Sequence, residues 1–158
     1  MAAMTSVRTS LVDVYAVRMA GGSMECLTLR RAPGGRCPGS WESVHGHIEP
    51  AERPATAAAR ELEEETGLTA ARWYNLSRVE LFYQHRTDEV ALVPVFVAFI
   101  EGQDGVRLGP EHDGFEWMPL AAARARLAWP RERRALEDIE VLLGNGTAGA
   151  VEDVLRVC

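Results

Sequence analysis

Residues 46–68 read GHIEPAERPATAAARELEEETGL, and this stretch decides the fold. Pro54 in a first turn, the alanines after it and Gly67 as a stop predict a helix over Pro54–Thr66. At about 100° per residue, with Glu61 taken as zero, Glu64 falls near about −60° and Glu65 near about +40°. Three carboxylates therefore share one face. Ala55, Ala58 and Leu62 gather beside them as a thin apolar stripe, while Glu63 points away.

The acidic row opposes itself. Like charges three and four residues apart cost a helix about 0.2–0.5 kcal/mol per pair. Glutamates near the C-terminal end also meet the negative pole of the helix dipole. Arg60, four residues before Glu64, offsets part of this. A hard divalent cation offsets more, because clustered carboxylate oxygens are the ligands that Mg²⁺, Mn²⁺ or Ca²⁺ prefer. Taken alone, such a run is more often a solvated helix face.

The residues around it are more specific. Gly46, five residues, Glu52, seven residues, Arg60-Glu61-Leu62, one residue, Glu64-Glu65, one residue and Gly67-Leu68 resembles the complete Nudix box at all nine defined positions. The resemblance implies an α/β fold, a Nudix-type α/β/α sandwich with a central mixed sheet. It implies hydrolysis of a nucleoside diphosphate linked to another moiety, with Mg²⁺, or Mn²⁺ in its place, as cofactor. Glu61, Glu64 and Glu65 match the family's metal-binding and base positions, and the Gly46 carbonyl matches a backbone ligand. Arg60 and Glu52 match a pair that braces the loop against the helix. Glu111, in GPEHDGFEWMPL, is the candidate for a further acidic ligand after the box. Glu61 is the first choice of general base, with Glu65 and Glu111 as alternatives.

Outward from the box, the pattern predicts strands over Thr9–Met19 and Met24–Arg30 about the turn Gly21-Gly22. A loop follows, then a short extended piece from Trp41 to His45. Trp73–Arg86 and Glu89–Ile100 read as two longer strands, the second interrupted by Pro94, which predicts an edge or a bulge. Phe115–Met118 reads as a short strand, and Leu120–Leu127 and Arg131–Leu143 as helices. Gly144–Gly149 reads as a flexible link before a short closing segment. The whole is expected to be one domain over residues 1–158, with 1–6 a loose tail.

Composition narrows the chemistry. The 158 residues are 47% hydrophobic, enough for a real core, and no apolar run is long enough to cross a membrane. The net charge of −6 argues against a nucleic-acid duplex as partner. All 17 basic residues are arginines, which excludes a P-loop lysine, a Schiff-base lysine and a Ser-x-x-Lys nucleophile. Cys26, Cys37 and Cys158 are odd in number and lack metal spacing, so reduced thiols in a cytoplasm are expected. The partner is expected to be a small nucleotide or diphosphate, and a homodimer stays open.

Four residues are candidates for the substrate pocket. Arg30-Arg31 ends the second strand, where basic residues of the family often meet phosphate, so Arg31 could meet phosphate or be a solvated strand end. Trp41 could stack on a base or cap the core. His47 is a loop or pocket residue, and Tyr83 could line the mouth or pack in the sheet. Arg131, Arg133 and Arg134 alternate with Glu132 and Glu137, which reads as a solvated, salt-bridged face. The run WESVHGHIEPAE resembles the branch that cleaves dihydroneopterin triphosphate and dATP to monophosphate and pyrophosphate. Tyr83 keeps dinucleoside polyphosphates as the alternative, and a binding module without turnover is the reading from another class.

Overall fold

The computed structural model describes residues 4–102 and 105–158. Eight strands form one mixed sheet: β1 (Ser6–Thr9), β2 (Leu11–Ala20), β3 (Ser23–Arg31), β4 (Trp41–Glu42), β5 (Val44–His47), β6 (Arg72–Gln84), β7 (Glu89–Phe99) and β8 (His112–Pro119). The helices are α1 (Pro54–Thr66), α2 (Leu120–Arg126), α3 (Pro130–Leu143) and α4 (Glu152–Leu155), with a 3-10 turn at Gly149–Val151. The strand β7 runs parallel to β1 and β2 and antiparallel to β6. Beyond it, β2 pairs antiparallel with β3 and β5, and β3 with β4 and β8.

Alternation along β2 and β7 splits the core into two layers. Tyr15, Val17, Val95, Val97 and Phe99 face α2 and α3, meeting Leu127, Leu136 and Ile139. Val12, Val14, Phe96 and Ala98 face the other way, onto Ala57, Ala58 and Leu62 of α1. The apolar stripe of the box helix thus fixes it to the sheet, and its acidic row is left at the margin. Gly67 ends α1 in the left-handed conformation, with its N–H bonded to the Glu63 carbonyl.

The differences from the pattern have local causes. The strand expected over Thr9–Met19 is two strands, broken at Ser10: β1 pairs with Glu89–Leu92 of β7, and β2 resumes beside Val95–Phe99 of the same strand while gaining β5 on its other side. Ser6 already pairs with Glu89, so the tail joins the sheet there; residues 1–3 lie outside the described residues. Pro94 sits in the central strand rather than at an edge. It lies between the segment of β7 that pairs with β1 and the segment that pairs with β2, and it faces the bulge between Asn75 and Val79. A residue without an N–H fits where the ladder changes partner. The strand expected at Phe115–Met118 extends from His112 to Pro119, because β3 offers it a full-length partner. After Gly144, α4 buries Leu155, and Arg156 bridges to Tyr74. No helix among the described residues is long and apolar enough to cross a membrane.

Candidate active site

Helix α1 presents its carboxylates at graded depths: Glu65 is buried, Glu61 half-buried and Glu64 exposed. Arg60 ties them to the loop before the helix. Its Nε and Nη2 donate to the two Glu52 oxygens, each at 2.9 Å, as a bidentate fork. The same Nη2 donates to the His47 carbonyl at 2.8 Å. Nη1 donates to Glu61 Oε1 at 2.8 Å and to Glu64 Oε2 at 3.3 Å. The Glu49 backbone N–H donates to Glu52 at 2.9 Å and closes the loop. The Arg60 hydrogen bonds, followed by that N–H, hold the Glu52 carboxyl down at about 2.

Gly46 lies where β5 passes beneath α1. A Cβ at this position would fall inside the Glu61 carboxyl group. Glu65 reaches further in: its Oε2 is buried without a hydrogen-bond partner, 4.0 Å from His112 Nδ1, which is also unpartnered. His112 Nε2 shares a hydrogen bond of 2.9 Å with Glu42 Oε1, and that oxygen accepts Arg31 Nη1 at 2.8 Å. Burial opposes charge on Glu42, but His112 and Arg31 outweigh it and hold the carboxyl below its usual value. Burial, then the charges of Glu61, Glu42 and Glu111, push the Glu65 carboxyl well up. Burial raises Glu61 as well, against the pull of Arg60. Glu111 stands on a loop stitched to the end of α1 by Arg107 N–H to the Thr66 carbonyl (2.8 Å) and Gly109 N–H to the Glu65 carbonyl (3.2 Å).

Among the described residues, no three His, Cys, Asp or Glu side chains are already gathered as a metal cage. Arg60 stands between Glu61 and Glu64 and donates a hydrogen bond to each. The residues nevertheless fit a hard divalent cation. The donors are carboxylate oxygens, one of them is orphaned and buried, and Gly46 leaves the Glu61 carboxyl against bare backbone.

A cavity of about 980 Å³ opens over this row. Gly46, Glu61, Glu64 and Glu111 border it together with Arg31, His47 and Arg131. Phe82, Tyr83 and Trp129 also line it. The Phe82 and Trp129 rings meet edge to face with centroids 6.2 Å apart, and the Arg131 guanidinium lies 5.4 Å from the Trp129 ring. Arg131 Nε donates to Asp13 Oδ2 at 2.9 Å, and His45 Nδ1 shares a bond of 2.6 Å with Asp13 Oδ1. Asp13 is fully buried; burial works against its charge, but His45 and Arg131 prevail and keep it below the usual range.

The structure brings Arg31, His47, Tyr83 and Glu111 to one cavity with Gly46, Glu61 and Glu64, and leaves Trp41, Glu52, Arg60 and Glu65 out of its lining. Trp41 lies against the guanidinium groups of Arg126 and Arg30, 4.5 and 5.9 Å from its ring. Tyr83 sits at the rim, exposed, its hydroxyl donating to Asp88 at 3.1 Å. Phe82, one residue earlier, packs with Leu11, Ala91 and Val93 beneath the cavity. The start of α3 is not the solvated face that its alternating charges predict. Glu132 is fully buried, and Arg131 is drawn in by Asp13. Asp13 was the available signal: a lone carboxylate inside the apolar run LVDVYAV must find cationic partners once that strand is buried.

Residues 9–139 match the family model described as NUDIX domain, and the chain belongs to the Nudix family. It is similar to an octanoyltransferase of Myxococcus xanthus, 35% identical over 133 residues that make up 80% of this chain and 35% of that protein. It is also similar to a rat bis(5'-nucleosyl)-tetraphosphatase (asymmetrical), 33% identical over 98 residues, 60% of this chain and 65% of that one. The chain therefore spans about a third of the first relative and about two thirds of the second. Among solved structures, the Escherichia coli dihydroneopterin triphosphate pyrophosphohydrolase superposes with a TM-score of 0.68 at 22% identity, over 87% of this chain and 98% of that one.

Proposed function

We propose that the chain is a divalent-metal-dependent pyrophosphohydrolase acting on a small molecule built on a nucleoside diphosphate or a triphosphate. The observation that carries the reading is the Glu61 carboxyl seated on Gly46 at the edge of a cavity that Arg31 and Arg131 also line. Glu61, Glu64, Glu65, Glu111 and the Gly46 carbonyl would hold Mg²⁺, with Mn²⁺ able to replace it. Such an ion offsets the charge of the phosphates and makes water more acidic.

The chain's own groups divide the remaining work. Glu61 accepts a proton from the attacking water. Glu52 and Arg60 keep the loop and helix in register, so the Gly46 carbonyl and Glu61 stay opposed. Arg31 and Arg131 face the phosphates as planar donor forks, each backed by a buried carboxylate. Phe82, Trp129 and Tyr83 offer aromatic surface to a base or pterin ring. Trp41, outside the cavity, has no part in this reading.

Two substrate classes suit it. The WESVHGHIEPAE run supports a nucleoside or pterin triphosphate, cleaved to monophosphate and pyrophosphate. The likeness to the rat tetraphosphatase and the aromatic wall support a dinucleoside polyphosphate as the second. A panel of nucleoside triphosphates, dinucleoside tetraphosphate, dihydroneopterin triphosphate and ADP-ribose decides between them. Nucleotide, phosphate and pyrophosphate release should be measured with Mg²⁺ and with excess chelator. Chelator-sensitive release from a triphosphate or a dinucleoside polyphosphate is expected. Turnover of no member, or turnover untouched by chelator, would overturn the proposal.

A further inference from the structure

The chain from Trp41 to His47 changes partners in mid-course. Glu42 pairs with Leu29 of β3, whereas Val44 pairs with Val14 of β2. Ser43 is the pivot between the two pairings. Its N–H donates to Glu132 Oε2 at 2.6 Å, across 89 residues of sequence. Glu132 comes from the first turn of α3 and has no exposed surface. Its other oxygen, the Ser43 hydroxyl and the Tyr15 hydroxyl are all buried and without hydrogen-bond partners.

The two sides of the pivot are the two sides of the candidate site. On one side Glu42 holds Arg31 and His112, the latter beneath Glu65. On the other, His45 is bound to Asp13, and Gly46 receives the Glu61 carboxyl. Arg131, the neighbour of Glu132, grips the same Asp13. Consecutive residues of α3 thus pin the segment at its pivot and, through Asp13, at His45.

We propose that Glu132 is a positioning residue for the active site, its carboxyl holding the Ser43 backbone so that Glu42 and the His45-Gly46 pair keep a fixed separation. Retention of a full carboxyl in an apolar interior, where leucine would pack without unpaired oxygens, fits such a role. An acceptor is what the contact requires, not a charge. The groups around this carboxyl are Asp13 and Tyr15 from β2, Cys26 from β3, Ser43, and Arg131 on its own helix. The activity arm of the test below rests on the proposed hydrolysis; the spectroscopic arm does not.

In full-length protein, Glu132→Gln should retain kcat/KM within about threefold of the parent. Glu132→Leu should lose about tenfold or more, mainly in kcat, while keeping the parent's circular dichroism spectrum. Independently of any substrate, the Ser43 amide resonance in ¹H–¹⁵N spectra of the parent should move with pH as Glu132 titrates, and be still in Glu132→Gln. In a folded Glu132→Leu chain, the His45 and Gly46 amides should shift. A folded Glu132→Leu protein with unchanged kcat and unmoved His45 and Gly46 amides would overturn the proposal. So would a folded Glu132→Gln protein that loses about tenfold or more in kcat, because that variant keeps the acceptor for Ser43; this measurement stands even if the leucine variant fails to fold.

Discussion

The Glu61 carboxyl occupies the space that a side chain on Gly46 would fill. The glycine is required here by close approach, because its backbone is ordinary β5 strand paired with Val12. Gly46→Ala should therefore leave the strand intact and drive Glu61 off its seat. Turnover should fall by about a hundredfold or more, with a melting temperature within a few degrees of the parent. Steady-state kinetics beside a thermal melt checks this; an alanine variant with parental kcat would mean that the seat of Glu61 is irrelevant to chemistry.

Glu64 makes a different kind of contact. Its side chain is 58% exposed and it meets Arg60 at 3.3 Å, so the fold owes it little. Glu64→Gln should nearly abolish turnover while changing thermal stability by less than about 0.5 kcal/mol. Magnesium should also raise the melting temperature of the parent more than that of the variant, because binding to the folded state stabilises it by mass action. Equal magnesium shifts in both proteins would remove Glu64 from the ligand set.

Arg60 is a test of geometry against charge. Two of its nitrogens grip Glu52, one also reaches the His47 carbonyl, and the third bridges Glu61 and Glu64. Lysine retains the charge and loses the fork. Arg60→Lys should thus lower the melting temperature by several degrees and cut kcat by about tenfold or more, close to the effect of Arg60→Ala. Recovery of parental values by lysine would show that charge alone suffices.

What the sequence revealed follows from which interactions are local. The box helix was legible because its apolar stripe, its proline start and its glycine stop lie within a few residues of one another. The grouping of Glu61, Glu64 and Glu65 follows from helix period alone. Trp41 and Tyr83 could not be placed that way. Whether a ring faces a cavity depends on which side of the sheet its register selects: Phe82 packs onto Leu11, Ala91 and Val93, while Tyr83, one residue on, stays exposed at the rim. Arg131 and Glu132 were misread for a related reason. Their alternation with other charges looks solvated until β2 supplies Asp13 and the pivot supplies Ser43, more than 85 residues away in each case. Polar contacts at that separation leave one trace in sequence, a charged residue where an apolar one belongs, and Asp13 is that trace.

Glu132 also sets a pH dependence of stability. Burial pushes its carboxyl up to about 7, against the hydrogen bond from Ser43. Unfolded, it titrates near the ordinary glutamate value of about 4.3. Between those values the folded chain binds a proton that the unfolded chain does not, so stability falls as pH rises through this window. The stabilisation is fully present below about pH 4 and lost by about pH 8, and its size is on the order of 3 kcal/mol. Glu132→Gln removes the titration and keeps the acceptor for Ser43. Denaturant melts of parent and variant at pH 5, 6, 7 and 8 should diverge, the parent losing ground to the glutamine variant at each step upward. Parallel curves across that range would show that Glu132 ionises in the folded protein as freely as in the unfolded one.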